Sequence, residues 1–105
     1  MSGYVIGFDG FPWEDVSPGL RQKVFVIGKN RMRLLELAEG FEEKDWCEKA
    51  HAGYLLEGEV TIKFSDKQFT MKAGEGLYIS GGEKSKHMAS VARGGRALLV
   101  LFEDA

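Results

Sequence analysis

The sequence predicts an all-β domain of about eight or nine short strands, a sandwich or barrel. Three observations carry that reading. Apolar and β-branched residues come in runs of strand length, glycine and aspartate clusters separate the runs at a spacing of roughly ten residues, and no stretch of useful length has helical spacing. The 105 residues suffice for one domain with a real core and are too few for two.

The elements follow in chain order. Residues 1–20 read as an N-terminal arm or edge hairpin, with Phe11 and Trp13 among polar neighbours. Pro18-Gly19 within "SPGLR" suits a type II turn, proline holding φ and glycine supplying the positive φ. "QKVFVIG" alternates Val24 and Val26 against Phe25 and Ile27, a pattern for a strand covered on both faces. "RMRLLELAEG" makes the next strand, ending at Gly40. Four runs follow, at 54–56, 60–64, 68–71 and 77–80, parted by Glu57-Gly58, Ser65-Asp66-Lys67 and Gly74-Glu75-Gly76. Each spacer is turn chemistry, because Gly and Asp tolerate the backbone of tight hairpins. Two last strands, 87–92 and 96–102, meet at Gly94-Gly95. No internal repeat, low-complexity segment or linker interrupts this series.

Composition excludes several classes. Hydrophobic residues at 44% and charged residues at 29% are those of an ordinary globular protein, and indicate neither disorder nor a membrane span. The apolar run "ALLVLF" is only six residues, far short of a bilayer crossing. The opening "MSGYVIGFDGFPWEDV" lacks the basic lead and apolar stretch of a secretory signal. A single cysteine cannot close an internal disulfide, which fits a cytoplasmic location. Net charge of −2 argues against a general affinity for nucleic acid. The charge is uneven, with six acids and one base over 36–48 and five bases and no acid over 21–33. Such runs are either solvated loops and strand faces or an acidic rim that draws cations to a pocket.

"LLEGEVTIKF…FTMKAGEGLYISGGEKSKH" resembles the cupin family, whose small β-barrels share the motifs G-x5-H-x-H-x3,4-E-x6-G and G-x5-P-x-G-x2-H-x3-N. With Gly58 as the last glycine of the first motif, His51 stands where the family has its Glu, and Asp45 and Cys47 stand where it has its two His. The pattern is D-x-C-x3-H-x6-G, with Gly40 one residue too close to be the leading glycine. In the second motif Gly74 and Gly82 fit, Ser80 replaces Pro, His87 falls two residues late, and Val91 stands for Asn. The resemblance covers about residues 30–102 and implies a cupin-type antiparallel β-barrel or jelly roll over that core, in a single domain spanning 1–105. It also implies a metal-binding role for Asp45, Cys47, His51 and His87, and a homodimer.

The residues speak to the same cluster by themselves. Asp45 and Cys47, two apart, would share one face of a strand with Trp46 on the other, and His51 could return to that face after Glu48-Lys49-Ala50. His87 is the remaining imidazole, expected to complete the site from across the barrel. Carboxylate, thiolate and imidazole suit a divalent transition metal, Zn²⁺ or Fe²⁺, whereas the soft sulfur disfavours Mg²⁺ and Ca²⁺. Three such ligands and an open position make a Lewis acid or an oxygen-activating centre. Plainer roles exist for each: Cys47 as a small buried hydrophobe, Asp45 as a solvated loop residue, Met71 and Met88 as core fillers. Tyr54, Tyr78, Phe64 and Phe102 are expected in the core or barrel lining, and Glu57 and Glu59 facing water.

Two function classes follow. One is a metal-binding cupin that takes a small polar molecule in the barrel, with His51 or His87 as ligand or general base. The other is a metal-free cupin that binds a small ligand, or only dimerises, without chemistry. Exposed aromatics in the arm (Tyr4, Phe8, Phe11, Trp13) would favour pairing with a second copy.

Overall fold

Alternating burial along the chain is what makes these segments strands: one face of each meets a shared core and the other does not. The computed structural model describes residues 4–105, so the first three residues of the expected arm lie outside the described part. Its strands are β1 (Glu14–Ser17), β2 (Leu20–Ile27), β3 (Asn30–Leu37), β4 (His51–Lys63), β5 (Gln68–Lys72), β6 (Gly76–Ile79), β7 (Met88–Ser90) and β8 (Ala97–Asp104). Helix is confined, among the described residues, to two 3₁₀ turns at Phe8–Gly10 and Glu83–Ser85. None of the described helices is long and apolar enough to cross a membrane.

All pairings are antiparallel, and β4 belongs to two sheets. Its first half lies between β8 and β6 in a sheet that continues through β3 and β2 to β1. Its second half lies between β5 and β7. The two sheets curl over one core of Leu35, Leu37, Phe41, Leu55, Val60, Ile62, Met71, Ile79, Val91, Ala97, Leu99 and Leu101, the cupin-type half-barrel.

The device that lets one strand serve both sheets is at Glu57-Gly58, which the sequence suggested as a hairpin turn. There is no turn there. The runs at 54–56 and 60–64 are parts of one thirteen-residue strand, and its pairing with β8 shifts register between Leu55 and Glu57. The extra residue reverses the alternation, so that His51 and Leu55 are buried before it and Val60 and Ile62 after it. Gly58 has φ +84, and a Cβ there would stand 1.7 Å from the Arg96 carbonyl oxygen. Glycine is needed for a bend and a close backbone crossing.

Other boundaries are shorter than the sequence suggests. The strand expected over 87–92 contracts to β7, with His87 just before it in an isolated bridge to Cys47. Pro18-Gly19 does join β1 to β2, with Ser17 paired to Leu20 and φ +82 at Gly19.

The arm folds back on the outer face of β2. Phe11 packs between Phe8 at 5.3 Å and Phe25 at 6.4 Å, and Trp13 lies under Arg21 and Lys23. Lys23 is buried there and donates through Nζ to the Phe8 carbonyl at 2.8 Å. Tyr54, Tyr78 and Phe102, expected as core or lining, are instead exposed on the outer face, Tyr78 by 82%. Register explains it, since Ala52 pairs with both Tyr78 and Phe102 and all three stand opposite in phase to buried His51, Ile79 and Leu101.

Candidate metal centre

The open end of the half-barrel is where β4 begins and β8 ends. β8 buries every second side chain, Ala97, Leu99 and Leu101, and the next in phase is Glu103. Its neighbour β3 puts Arg33 opposite Leu101 and Arg31 opposite Glu103. On the other side Ala52 pairs with Phe102, which brings His51, one residue earlier, alongside Glu103. Period-two alternation thus carries a buried carboxylate, two guanidinium groups and an imidazole to the same end of the sheet.

Cys47 reaches the site from a loop. Residues 43–46 lie outside any strand, and Cys47 makes a two-bond bridge with His87: its N–H donates to the His87 carbonyl at 2.8 Å and its carbonyl accepts from His87 N–H at 3.0 Å. His87 therefore stands beside Cys47 and not across the barrel from it. The Cys47 Sγ lies 3.5 Å from His51 Nε2, and the two imidazoles meet edge to face with centroids 5.1 Å apart. One ligand atom from each of Cys47, His51 and His87 falls within 4.8 Å of the others. Both histidines are buried and Cys47 is half-buried.

The hydrogen bonds behind the histidines set which nitrogen faces the cluster. His87 Nδ1 lies 3.0 Å from the Ser85 carbonyl, which can only accept, so Nδ1 carries a proton and Nε2 is the nitrogen left available for the cluster. His51 Nδ1 lies 2.6 Å from Glu103 Oε2. Burial pushes the Glu103 carboxyl up, but hydrogen bonds from His51 and Arg33 and the Arg33 charge outweigh it and hold it down at about 2. An ionised carboxylate can only accept, so His51 likewise donates from Nδ1 and turns Nε2 toward the thiol. A buried Glu103 between Arg33, Arg31 (Nε to Oε1, 2.9 Å) and His51 is fully paired, and among the described residues no buried polar side-chain atom lacks a partner.

Two imidazole Nε2 atoms and one thiol sulfur, each imidazole fixed by a partner on its far nitrogen, form a donor set that fits a borderline-soft divalent metal. Zn²⁺ and Fe²⁺ have that character, and hard cations that prefer oxygen do not.

Asp45, the fourth residue singled out in the sequence, is exposed and stands apart from the three. Strand alternation would have placed it beside Cys47, but the segment is not a strand and the two-residue period does not hold in a loop. Asp45 instead borders a surface depression with Glu42, Glu43 and Pro18. Trp46 does point away, half-exposed and capped by the Lys86 ammonium. Glu103, Arg31 and Arg33 were not singled out in the sequence. The signal for Glu103 was present: it continues the 97-99-101 alternation with an acid at a position phased for burial.

A cavity of about 320 Å³ opens beside the cluster, floored by Leu35, Phe41, Ile62, Leu99 and Leu101 and edged by Arg31, Arg33, Gln22, Glu43 and Lys49. That volume sits at the lower end of the roughly 300–1,000 Å³ of small-molecule sites. Glu43 is held in place by the Ala89 N–H, which donates to its Oε1 at 2.8 Å.

No family model matches the sequence, and no curated protein does. Solved structures match along most of the chain. The polyketide cyclase RemF of Streptomyces resistomycificus is similar with a TM-score of 0.83 and 15% identity over 95% of this chain and 78% of its own. An RmlC-like cupin of Shewanella frigidimarina has a TM-score of 0.80 and 14% identity over 96% of this chain and 89% of its own. A cupin-2 domain protein of Rhodospirillum rubrum has a TM-score of 0.76 and 15% identity over 96% and 74%. At these identities the likeness is one of fold.

Proposed function

We propose that this chain, which has the cupin fold, binds a divalent transition metal, Zn²⁺ or Fe²⁺, through Cys47, His51 and His87, and takes a small molecule into the adjoining cavity. The observation that carries the reading is the pair of Nδ1 hydrogen bonds, from His87 to the Ser85 carbonyl and from His51 to Glu103, which leave Nε2 of each ring as the nitrogen available to the cluster with the Cys47 sulfur.

A metal held by three protein ligands would keep a position open to the cavity and supply Lewis acidity there. The chain's own residues do the rest. Glu103 holds the His51 proton on Nδ1 and orients the ring; Arg33 and the His51 hydrogen bond keep Glu103 ionised, and Arg31 pairs with it; the floor is apolar. The fold itself selects no reaction, since one fold carries many.

A homodimer belongs to the same proposal. The outer face of the larger sheet carries Tyr78, Phe102 and Tyr54 exposed and contiguous by register, an apolar surface that a second copy would cover.

The test is elemental analysis of protein purified without a histidine tag, alone and after incubation with Zn²⁺ or Fe²⁺. His51→Ala, His87→Ala and Cys47→Ser should each lose most of the metal, whereas Asp45→Ala should keep it. If the wild type takes up no divalent metal with better than roughly millimolar affinity, a binding free energy of about 4 kcal/mol, the metal reading is lost. A metal-free small-ligand binder then takes its place.

A further inference from the structure

Five charged groups surround the cavity and its buried edge, and they do not balance. Arg31, Arg33 and Lys49 line it as cations and Glu43 as an anion. Glu103 stands behind the arginines as a second carboxylate. Three positive and two negative charges leave one positive charge over, before any charge on the imidazoles or a metal is counted.

The hydrogen bonds show which donors are spent. Arg33 uses Nε and Nη2 on Glu103 and Nη1 on Gln22 Oε1 at 3.1 Å. Arg31 uses Nε and Nη2 on Glu103 Oε1, at 2.9 and 2.7 Å, and keeps Nη1. Lys49, two residues before His51, has no hydrogen-bond or ion-pair partner among the described residues. Arg31 and Lys49, each with a donor to spare, thus line a cavity whose floor is leucine, isoleucine and phenylalanine.

We infer, building on the cavity's reading as a small-molecule site, that its ligand is a small organic monoanion, a carboxylate on a compact apolar body. The uncompensated positive charge at the edge of the cavity favours an anion over a neutral molecule. The planar guanidinium of Arg31 and the ammonium of Lys49 suit a carboxylate, and bonds of that charge-assisted kind are the strong ones. The floor is apolar and suits an apolar body, and the volume limits that body to a short chain or a single ring.

The test titrates benzoate and hexanoate into tag-free protein, as purified and after chelator treatment, with benzamide and hexanamide as uncharged counterparts. Calorimetry and thermal shift read binding, and elemental analysis reads metal content in every sample. The carboxylates should bind and the amides should not, with affinity falling as salt is added. Lys49→Gln should weaken carboxylate binding by about tenfold or more while metal content stays that of the wild type, and Arg31→Gln should weaken carboxylate binding likewise. Lys49 is exposed, so its variant reports even if Arg31→Gln fails to fold. Amides that bind as well as acids, affinities unchanged in the variants, or no carboxylate binding tighter than about 1 mM each overturn the inference. Carboxylate selectivity in a protein that takes no metal sinks the metal reading alone; metal uptake without that selectivity sinks this one alone.

Discussion

His51 is buried, and its useful nitrogen is chosen by a carboxylate 52 residues away. Glu103→Gln keeps the size and an oxygen that can accept the Nδ1 proton but removes the charge that polarises the ring. Partners of this kind commonly contribute 10–100-fold to metal affinity, so the variant should bind Zn²⁺ about that much more weakly, read by competition with a chromogenic chelator. Unchanged affinity would mean that His51 is not oriented for a ligand role. Asp45→Ala serves as the comparison, because Asp45 is exposed and outside the cluster.

The elements are held in place by features that side-chain chemistry alone does not reveal. β4 joins two sheets where Gly58 takes φ +84 with the Arg96 carbonyl oxygen in the place a Cβ would need. Gly58→Ala should therefore destabilise the fold by at least about 2 kcal/mol, seen as a lower midpoint in urea denaturation. Gly28→Ala is the control, with φ +58 but open space around it, and should cost less. Across the other face Glu36 on β3 ties Arg21 on β2 to Arg96, the residue before β8, at 2.6 and 3.2 Å. The Arg21 hydrogen bond lowers the Glu36 carboxyl, against burial, and Arg96 lowers it further. A depressed carboxyl stabilises the fold fully above the unfolded value of about 4.3, and that contribution disappears as pH falls through the lower folded value. Glu36→Gln should cost no more than about 1 kcal/mol at neutral pH, since the pair is partly solvated. Denaturation at pH 7 and pH 3 should show the difference between variant and wild type shrinking in acid; a constant difference would remove Glu36 from the acid response.

For the whole molecule, the distribution of apolar surface matters more than its amount. The arm's aromatics, which the sequence offered as the reason to dimerise, are largely spent within the chain on Phe25, Arg21 and Lys23. Tyr4 stays exposed, and so does the outer-face cluster of Tyr54, Tyr78 and Phe102, 45%, 82% and 49% exposed. Light scattering at micromolar concentration should give twice the 11.7 kDa of one chain, and Phe102→Lys with Tyr78→Lys should return it to one. A wild-type mass near 11.7 kDa would reject the dimer.

Local pattern was enough for much of this. Runs of strand length with glycine between them determined an all-β fold, because a two-residue period is written in neighbouring residues and needs no partner to be read, and the glycine-anchored motifs around Gly58, Gly74 and Gly82 carried the resemblance to cupins. The four-residue spacing of Cys47 and His51 was likewise local. Tertiary structure decided what depends on how strands register against each other. It turned Glu57-Gly58 from a turn into a bulge, sent Tyr54, Tyr78 and Phe102 outward, and set His87 beside Cys47 through a backbone bridge. It also left Asp45 in solvent and delivered Glu103, Arg31 and Arg33 to the site. A one-residue shift in pairing moves every later side chain to the opposite face, and such a shift is fixed by the packing of both sheets at once.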